Sequence, residues 1–226
     1  MKKVIIPEGA PNRLTFYLAV EEYLAQSVEE DLFFTWQSPP TVICGRNQVI
    51  ENEVNLDYCR EHGIAVVRRK SGGGCVYSDA GNIMLSYITP DRGVEEVFAR
   101  YLNMVAEALR DLGFAAVTTA HNDIMIGDRK VSGNACFALP NATIVHGTML
   151  YDLDFDTLEK ATTPSAEKLS KHGVQSVRQR VVNLKSLGLT KTSAELREYF
   201  ENRFCDGDLK LTAEDIEKIV KFENYN

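Results

Sequence analysis

The sequence lacks the features that mark membrane proteins and disulfide-stabilised secreted proteins. It has no apolar run near the ~18 residues that are needed to span a bilayer. Its first stretch, Met1–Pro7, has a run of only three apolar residues before the proline, too short for the core of a signal peptide. The five cysteines are odd in number and show no CxxC spacing, so they are interpreted as free thiols, not as a disulfide framework or a zinc site. We therefore expect a cytoplasmic protein.

Other absences narrow the class of function. The net charge of -7 argues against a nucleic-acid binder that works through general basicity. Neither a GxxxxGK[ST] phosphate loop nor a GxGxxG fingerprint is present, so no phosphate site at a helix N-terminus is implied. Repeats, low-complexity segments and long linkers are also missing. The 226 residues, 44% of them hydrophobic and 25% charged, suit one sizeable domain with an ordinary globular composition.

Apolar periodicity predicts an α+β fold. Helices are predicted over Asn12–Gln26, Asn55–His62, Gly93–Gly113, Phe155–Lys160, Thr192–Phe204 and Thr212–Phe222. Strands are predicted over Asp31–Trp36, Thr41–Gly45, Ile64–Arg69, Asn82–Ile88, Asp123–Ile126, Lys130–Ser132 and Thr143–Leu150. Because the strands come in hairpin-like runs with helices between them, we expect a largely antiparallel mixed sheet flanked by helices. The chain is interpreted as one domain, 1–226, with 190–226 as a helical C-terminal extension.

Two helix starts carry capping signals. Ser193 is predicted to cap the helix that begins near Thr192. Thr212 is predicted to cap the last helix, with Asp215 at the N3 position.

The most unusual stretch is Ala65–Tyr77, in which an apolar strand runs into Arg68, Arg69 and Lys70, then three glycines, then a second apolar run. Glycine weakens a strand, so three in a row suggest that the backbone must approach something closely. The neighbouring cations suggest that this something is anionic. We interpret the stretch as a glycine-lined hairpin lying against an elongated ligand, with the arginines near a charge at its end. A flexible hairpin tip with solvated charges is the alternative.

A second polar stretch surrounds Lys130. The dipeptide Gly127-Asp128 fits a two-residue type II′ hairpin, and strand alternation then points Lys130 to one side of the sheet. A lysine on a core strand needs a partner for its charge. A solvent-facing lysine on an edge strand is the alternative. Asn122 and Asp123 either bind polar groups or cap the turn.

Three further features are candidates for the site. His146-Gly147-Thr148 interrupts an apolar strand and is either a ligand contact or a structural insert. Cys136, between Lys130 and His146, is the best nucleophile for a thioester-forming acyltransferase, although a small apolar filler is the alternative. The segment 168–194 has no acidic residue and carries six basic ones, Lys168, Lys171, Arg178, Arg180, Lys185 and Lys191.

Taken in order, five segments resemble the lipoate–protein ligase A family of the biotin/lipoate ligase superfamily. They are Arg68–Asn82, Asn122-Asp123, Arg129–Ala135, His146–Thr148 and Gly173–Leu184. In that family lipoate is activated with ATP to an acyl-adenylate, and the acyl group passes to a lysine of a small acceptor domain. The resemblance implies the catalytic-domain architecture of that superfamily. It also implies ATP, Mg²⁺ and lipoate as ligands, and as partners the lipoyl domains of 2-oxoacid dehydrogenase E2 subunits and the glycine cleavage H protein.

The resemblance also implies roles for single residues. Lys130 is implied to be the catalytic residue, which contacts both the lipoyl carbonyl and the adenylate phosphate. The glycines are implied to line the acyl tunnel, Arg69 and Gly74–Tyr77 to contact the nucleotide, and the region around Ser176–Arg180 to fold over the adenylate. The expected binding residues are Arg69, Ser71, Gly72, Gly73, Gly74, Cys75, Val76, Tyr77, Asn82, Asn122, Asp123, Lys130, Ser132, Gly133, His146, Gly147, Thr148, Ser176 and Arg178. No metal-ligating residue is predicted.

The chain departs from the family pattern in three ways. Cys75 stands where the family usually has alanine, and Ser78 where it often has histidine. Ligases of the family usually carry a further C-terminal domain that is associated with adenylation, and this sequence stops at Asn226. We therefore expect the catalytic domain alone, which either needs a separate small accessory protein or uses a preformed adenylate. A lipoyl or octanoyl transferase, a biotin ligase and a non-catalytic binder of lipoyl-AMP are the alternatives.

Overall fold

The computed structural model describes residues 1–120, 122–162 and 180–223. Its strands are β1 (Lys2–Ile5), β2 (Leu32–Trp36), β3 (Thr41–Cys44), β4 (Ala65–Arg68), β5 (Val76–Ser78), β6 (Asn82–Thr89), β7 (Ala116–Thr118), β8 (Asp123–Ile126), β9 (Arg129–Leu139), β10 (Ala142–Leu150) and β11 (Gly207–Lys210). Its helices are α1 (Leu14–Ala25), α2 (Ile50–Glu53), α3 (Leu56–Glu61), α4 (Val94–Asp111), α5 (Phe155–Ala161), α6 (Ser193–Phe204) and α7 (Ala213–Glu223), with a 3₁₀ turn at Lys185–Leu187. Within these ranges, no helix is both long enough and apolar enough to cross a bilayer.

A mixed sheet of eight strands forms the centre of the molecule, in the order β11-β1-β2-β6-β10-β9-β8-β7. Only the β11–β1 and β1–β2 pairs are parallel, and the other neighbours are antiparallel. The predicted α+β class with a largely antiparallel sheet is therefore confirmed.

Helices cover both faces of this sheet. Ile83, Leu85 and Tyr87 of β6 pack in one apolar cluster with α4 and α6. Met84 and Ile88 of the same strand pack in a second cluster with α1 and α7. All eight residues of β6 are buried, because a central strand with helices on both faces has no solvent side.

A smaller sheet carries the glycine stretch, in the order β4-β3-β5. β4 runs parallel to β3, and β5 runs antiparallel to it. The expectation of a glycine hairpin is therefore wrong, because the strands on either side of the glycines pair with β3 and not with each other. The stretch is a crossover past the end of β3. Local patterning misses this because the central strand comes from an earlier part of the chain.

Several short strands escaped the sequence analysis. β1, β5, β7 and β11 have three or four residues each, too few for an alternation pattern to be recognised. The 190–226 region, expected to be helical, contains β11 in parallel register with β1, from Lys2↔Gly207 to Ile5↔Lys210.

The start of α6 differs from the prediction by one residue. Thr192, not Ser193, is the N-cap: its Oγ1 accepts from Glu195 N at 3.2 Å, and its own N donates to Glu195 Oε2 at 2.7 Å. This reciprocal pair is a capping box. The predicted cap of α7 is confirmed, since Thr212 Oγ1 accepts from Asp215 N at 3.2 Å.

The two candidate caps give a direct test. Because Thr192 satisfies an N–H that α6 would otherwise leave open, we expect Thr192→Ala to lower the free energy of unfolding by about 1 kcal/mol. Ser193→Ala lies on the next residue and is the matched control, with an expected change of at most about 0.5 kcal/mol. Urea unfolding of both variants measures the difference, and equal losses would contradict the assignment.

Candidate active site

Two cavities meet at Lys130 of β9. The first has a volume of about 120 Å³ and a mainly apolar wall from α1, β2, β3 and β6: Leu14, Leu18, Trp36, Ile43 and Met84. The second is larger, about 530 Å³, and more polar, with Asp123, Asp128, Lys130 and Arg180 in its wall. Five residues line both cavities: Gly74, Cys75, Val76, Lys130 and Thr148. Lys130 is the shared residue that carries a charge.

The β8–β9 hairpin explains how Lys130 reaches the cavities. Ile126 pairs with Arg129 across the predicted two-residue turn, in which Gly127 has φ 63 and Asp128 does not have a positive φ, as type II′ requires. The register then shifts, since Ile124 pairs with Ser132 but Met125 pairs with Lys130. This bulge leaves Val131 as the extra residue, buried in the apolar cluster under α4, while Lys130 lines the cavities.

The charge of Lys130 has a partner, as a lysine on a core strand requires. Its Nζ lies 3.0 Å from Asp123 Oδ1, and about a third of each side chain is exposed, 33% and 28%. Lys130 pairs with Met125 of β8 on one side and bridges to Val181 on the other, so it is not an edge-strand lysine. Gly133 leaves space for it, because a Cβ there would lie 2.9 Å from the Cε and Nζ of Lys130.

The glycine loop, residues 69–75, is held by the guanidinium of Arg69. Arg69 donates to the carbonyls of Ile43 at 3.1 Å, Gly72 at 2.7 Å and Gly74 at 2.8 Å. The side chain is only 7% exposed, and burial lowers its pKa. Its described contacts thus fix the loop itself. The side chain also borders the first cavity, and its expected contact with a nucleotide stays a prediction.

A buried polar chain links this loop to the large sheet and to α1. Arg69 Nε donates to Ser71 Oγ at 3.1 Å, and Ser71 Oγ lies 2.6 Å from His146 Nε2. His146 Nδ1 lies 2.9 Å from Glu21 Oε2. The other oxygen of Glu21 accepts from Ser86 Oγ at 2.5 Å. With Nδ1 donating to Glu21 and Nε2 accepting from Ser71, His146 satisfies every link.

The order serine, histidine, carboxylate is that of a hydrolase triad, but its chemistry differs here. Ser71 has no exposed surface, and its Oγ already accepts from Arg69. A nucleophile must meet its substrate within hydrogen-bonding reach, so a fully buried hydroxyl does not serve. The polar chain positions the glycine loop against β10 and α1.

The glycines of the loop are not equivalent. Gly73 and Gly74 line the first cavity, whereas Gly72 does not border either one. Gly73 has φ +92, and a Cβ there would lie 2.9 Å from Arg69 Nη2. Gly45, at the end of β3, is equally constrained, because a Cβ there would lie 2.1 Å from the Gly73 carbonyl oxygen.

Most other expected residues lie in the cavity walls. Cys75 and Val76 border both cavities, Tyr77 the second, and His146 and Gly147 the first. Thr148 Oγ1 bonds both the N–H and the carbonyl of Gly133, each at 3.2 Å. Asn122 lines the first cavity, and its Nδ2 donates to the carbonyl of Asn134 at 2.8 Å.

Two expected residues lie behind the walls. Asn82 is fully buried and donates to Ser78 Oγ at 3.0 Å. Ser132 is also fully buried, 3.3 Å from Asn134 Oδ1. Ser176 and Arg178 lie outside the described residues, so their roles stay predictions.

The apolar wall of the first cavity and the carboxylate beneath it were not predicted from the sequence. Glu21 is 1% exposed and joins His146 to Ser86 in the buried polar chain. It stood among the apolar positions of the predicted first helix, and a charge on an apolar helix face was a usable signal. Trp36 gave no such signal, because a tryptophan on a buried strand is ordinary core.

The fold and the site define the class of protein. The chain aligns over 99% of its length with a bi-partite lipoate protein ligase from Thermoplasma acidophilum (TM-score 0.86, 26% identity, 91% of that chain). It aligns over the same share with a lipoate-protein ligase A bound with ATP (TM-score 0.83, 25% identity, 94% of that chain). The fold is therefore that of these lipoate–protein ligases.

Sequence comparison gives the family. Residues 14–205 match the lipoyl protein ligase A/B catalytic domain, and the chain belongs to this family. It is 37% identical to lipoate–protein ligase 1 of Staphylococcus aureus over 220 residues, 93% of this chain and 66% of that one. It is 36% identical to lipoate–protein ligase LplJ of Bacillus subtilis, over 92% of this chain and 67% of that one. The chain thus spans about two thirds of the length of these relatives.

The position of Ser71 predicts that replacing it lowers the stability of the protein. Ser71→Ala removes the link between Arg69 and His146, and leaving buried polar groups unpaired should lower the free energy of unfolding by about 1–3 kcal/mol. Ser27 is exposed on the surface, so Ser27→Ala is the control, with an expected change within about 0.5 kcal/mol. Urea unfolding compares the two variants. A Ser71→Ala protein as stable as the wild type would show that the polar chain does not hold the loop.

The structure of the glycine loop predicts that substitutions at Gly73 and Gly72 differ in their effect on stability. Gly73→Ala places a side chain in the left-handed region beside Arg69, and we expect it to cost about 1–2 kcal/mol of stability. A Cβ added at Gly72 would meet no heavy atom within 4 Å, so Gly72→Ala is the matched control, with a change of at most about 0.5 kcal/mol. Thermal or urea unfolding distinguishes them. Equal effects would contradict the description of the loop.

Proposed function

We propose that this chain is the catalytic part of a lipoate–protein ligase. It activates lipoate with ATP to lipoyl-AMP and transfers the lipoyl group to a lysine of an acceptor lipoyl domain. The observation that carries the proposal is the meeting of an apolar and a polar cavity at Lys130. Family membership supports it, and so do the relatives, which are named as lipoate–protein ligases.

The first cavity suits the acyl chain. Its wall contains Trp36, Ile43 and Met84, which match the hydrocarbon part of lipoate and offer it no charge. The second cavity suits the nucleotide, because it is several times larger and more polar. Its wall holds the cations Lys130 and Arg180 together with three carboxylates, those of Glu53, Asp123 and Asp128. An acyl-adenylate has an apolar end and an anionic end, and the two cavities have the corresponding order. A similar solved structure, a lipoate-protein ligase A, was determined with ATP bound.

Lys130 acts on both half-reactions at the place where the cavities join. In the first, a lipoate carboxylate oxygen attacks the α-phosphorus of ATP and pyrophosphate leaves. In the second, the amine of the acceptor lysine attacks the acyl carbon and AMP leaves. Negative charge develops on phosphate and acyl oxygens in these steps, and a fixed cation beside both stabilises it. Holding the two reactants together supplies the rest, so the enzyme needs no covalent intermediate.

Mg²⁺ fits this site as an ion shared with the nucleotide. Among the described residues, no three His, Cys, Asp or Glu side chains are grouped as a metal cage. Mg²⁺, however, is commonly held by one or two carboxylates together with substrate phosphates. Asp123 meets that need: its Oδ1 is buried, accepts no well-aligned hydrogen bond from the described residues, and has the Lys130 ammonium as its neighbour. When bound, the ion would neutralise phosphate charge.

The cysteines argue against a thioester-forming transferase. Cys136, the candidate nucleophile, packs against the apolar cluster under α4 and lines neither cavity. Burial raises its pKa to about 11, which disfavours the reactive thiolate. Cys75 does line the cavities, but burial raises the pKa of its thiol as well.

The partners follow from the same chemistry. We propose that the acceptors are lipoyl domains of 2-oxoacid dehydrogenase E2 subunits and of the glycine cleavage H protein, and that the protein is cytoplasmic. The Thermoplasma acidophilum relative is described as bi-partite and together with its E2 lipoyl domain. By analogy, we propose that a separate small accessory protein assists adenylation by this chain.

The test is an acylation assay. The purified chain is incubated with an apo lipoyl domain and either preformed lipoyl-AMP or lipoate, ATP and Mg²⁺. We expect the mass of the acceptor to rise by one lipoyl group with lipoyl-AMP. A rise with ATP and lipoate as well shows that the chain adenylates unaided. No acylation in either arm, with tight binding of the adenylate, would overturn the proposal in favour of a non-catalytic binder.

Substitution of Lys130 tests the proposed mechanism most directly. Because the proposed charge stabilisation depends on its ammonium, Lys130→Ala should lower the rates of adenylation and transfer by about 10²–10³-fold. The control is Lys210→Ala, which removes an exposed lysine from the edge strand β11. Both rates are measured by the mass assay and by ATP–pyrophosphate exchange. Unchanged transfer from lipoyl-AMP by a folded Lys130→Ala protein would remove the lysine from the mechanism.

A further inference from the structure

Two thiols lie beside each other at the wall between the cavities. Cys44 Sγ and Cys75 Sγ are 3.6 Å apart. Cys44 is fully buried at the end of β3, and Cys75 is partly exposed and lines both cavities. The proposed ligase chemistry uses neither sulfur.

Strand register explains the closeness of the thiols and shows that their backbones are also near. β3 and β5 are antiparallel, with Thr41↔Ser78, Val42↔Tyr77 and Ile43↔Val76 as partners. Continuing the ladder by one position sets Cys44 opposite Cys75. Residues that face each other across an antiparallel pair have Cα atoms about 4.5–5.5 Å apart. That separation lies within the roughly 4.4–6.8 Å range of Cα distances in disulfides.

The surroundings restrict which thiols can pair. Cys59 packs in the same apolar cluster as Cys44, but it lies on α3 and is 2% exposed. Cys136 and Cys205 pack in a different cluster, under α4 and α6. Cys75 is therefore the partner of Cys44 that a reagent can reach from a cavity.

We propose that Cys44 and Cys75 are a redox-active dithiol that forms a reversible cross-strand disulfide. With glutathione disulfide as oxidant, the Cys75 thiolate attacks one sulfur and releases one glutathione thiolate. The Cys44 thiolate then attacks the Cys75 sulfur, forms the internal disulfide and releases the second. The two protein thiols lose their two protons and two electrons, and glutathione disulfide is reduced to two glutathione thiols.

The disulfide would fasten the glycine loop. Cys75 directly follows Gly74, and Cys44 directly precedes Gly45, whose backbone already touches Gly73. A covalent bond here joins the end of β3 to the last residue of the loop. The side chain of Cys75, which lies in the wall shared by the two cavities, then becomes half of a disulfide.

The rate of thiol–disulfide exchange is not a suitable measurement of this proposal. Burial, and then the neighbouring Cys44, raise the pKa of the Cys75 thiol. Little thiolate is present at neutral pH, so exchange is slow. The test is therefore made at equilibrium.

The full chain is incubated to equilibrium in glutathione buffers of increasing oxidised fraction, quenched with acid, alkylated and analysed by peptide mass spectrometry. The expected result is one linked peptide pair containing Cys44 and Cys75, lighter by two hydrogen atoms than the reduced pair, and its complete loss after treatment with dithiothreitol. This readout does not measure ligation, so a negative result would contradict the disulfide and not the proposed function.

Two variants and the unfolded wild type serve as controls for specificity. In Cys44→Ser the internal link must vanish and Cys75 must instead carry glutathione, whereas Cys205→Ser must keep the link. In urea the unfolded wild type should lose the preference for this pair. A link between Cys44 and Cys59, stable glutathione on wild-type Cys75, or five free thiols at the most oxidising buffer would each overturn the proposal.

Discussion

The site depends on one buried electrostatic constraint. The Arg69 guanidinium and the Glu21 carboxylate are both removed from water, at opposite ends of a chain that runs through Ser71 and His146. A buried charge is costly unless it is hydrogen-bonded and compensated, so each member requires the others in place. Arg69 directly follows β4 of the small sheet, whereas Glu21 lies on α1 and His146 on β10 of the large sheet. This chain of hydrogen bonds therefore links the two sheets. The first cavity lies between them.

A second constraint acts on Lys130. An interior strand normally excludes a lysine, and the fold admits this one through a bulge, a missing Cβ at Gly133 and a carboxylate at 3.0 Å. Each feature alone is common in proteins. Together they hold a cation where an apolar space and a polar space join. The position of the charge, and not its mere presence, distinguishes this lysine from the others in the chain.

Sequence reasoning succeeded where the signal was local. The stripe of α4, the turn at Gly127 and the cap at Thr212 each depend on neighbours within a few residues, and the structure has all three. It failed where partners are distant. The insertion of β3 between the strands that flank the glycines, and the contact of His146 with a residue 125 positions away, leave no local pattern. The error of one residue at the start of α6 is of a different kind, because the adjacent Thr and Ser are both favoured N-cap residues.

The parallel pairing of β1 with β11 has a consequence for biosynthesis. Met1 and Asp206 meet across a separation of 205 residues, so β1 has a neighbour on only one side until the β11 segment has left the ribosome. An unpaired strand edge recruits other chains, and contacts of such long range form slowly. The nascent protein therefore carries β1 as an edge strand until the β11 segment is available, and only then does the sheet order around β1 become complete.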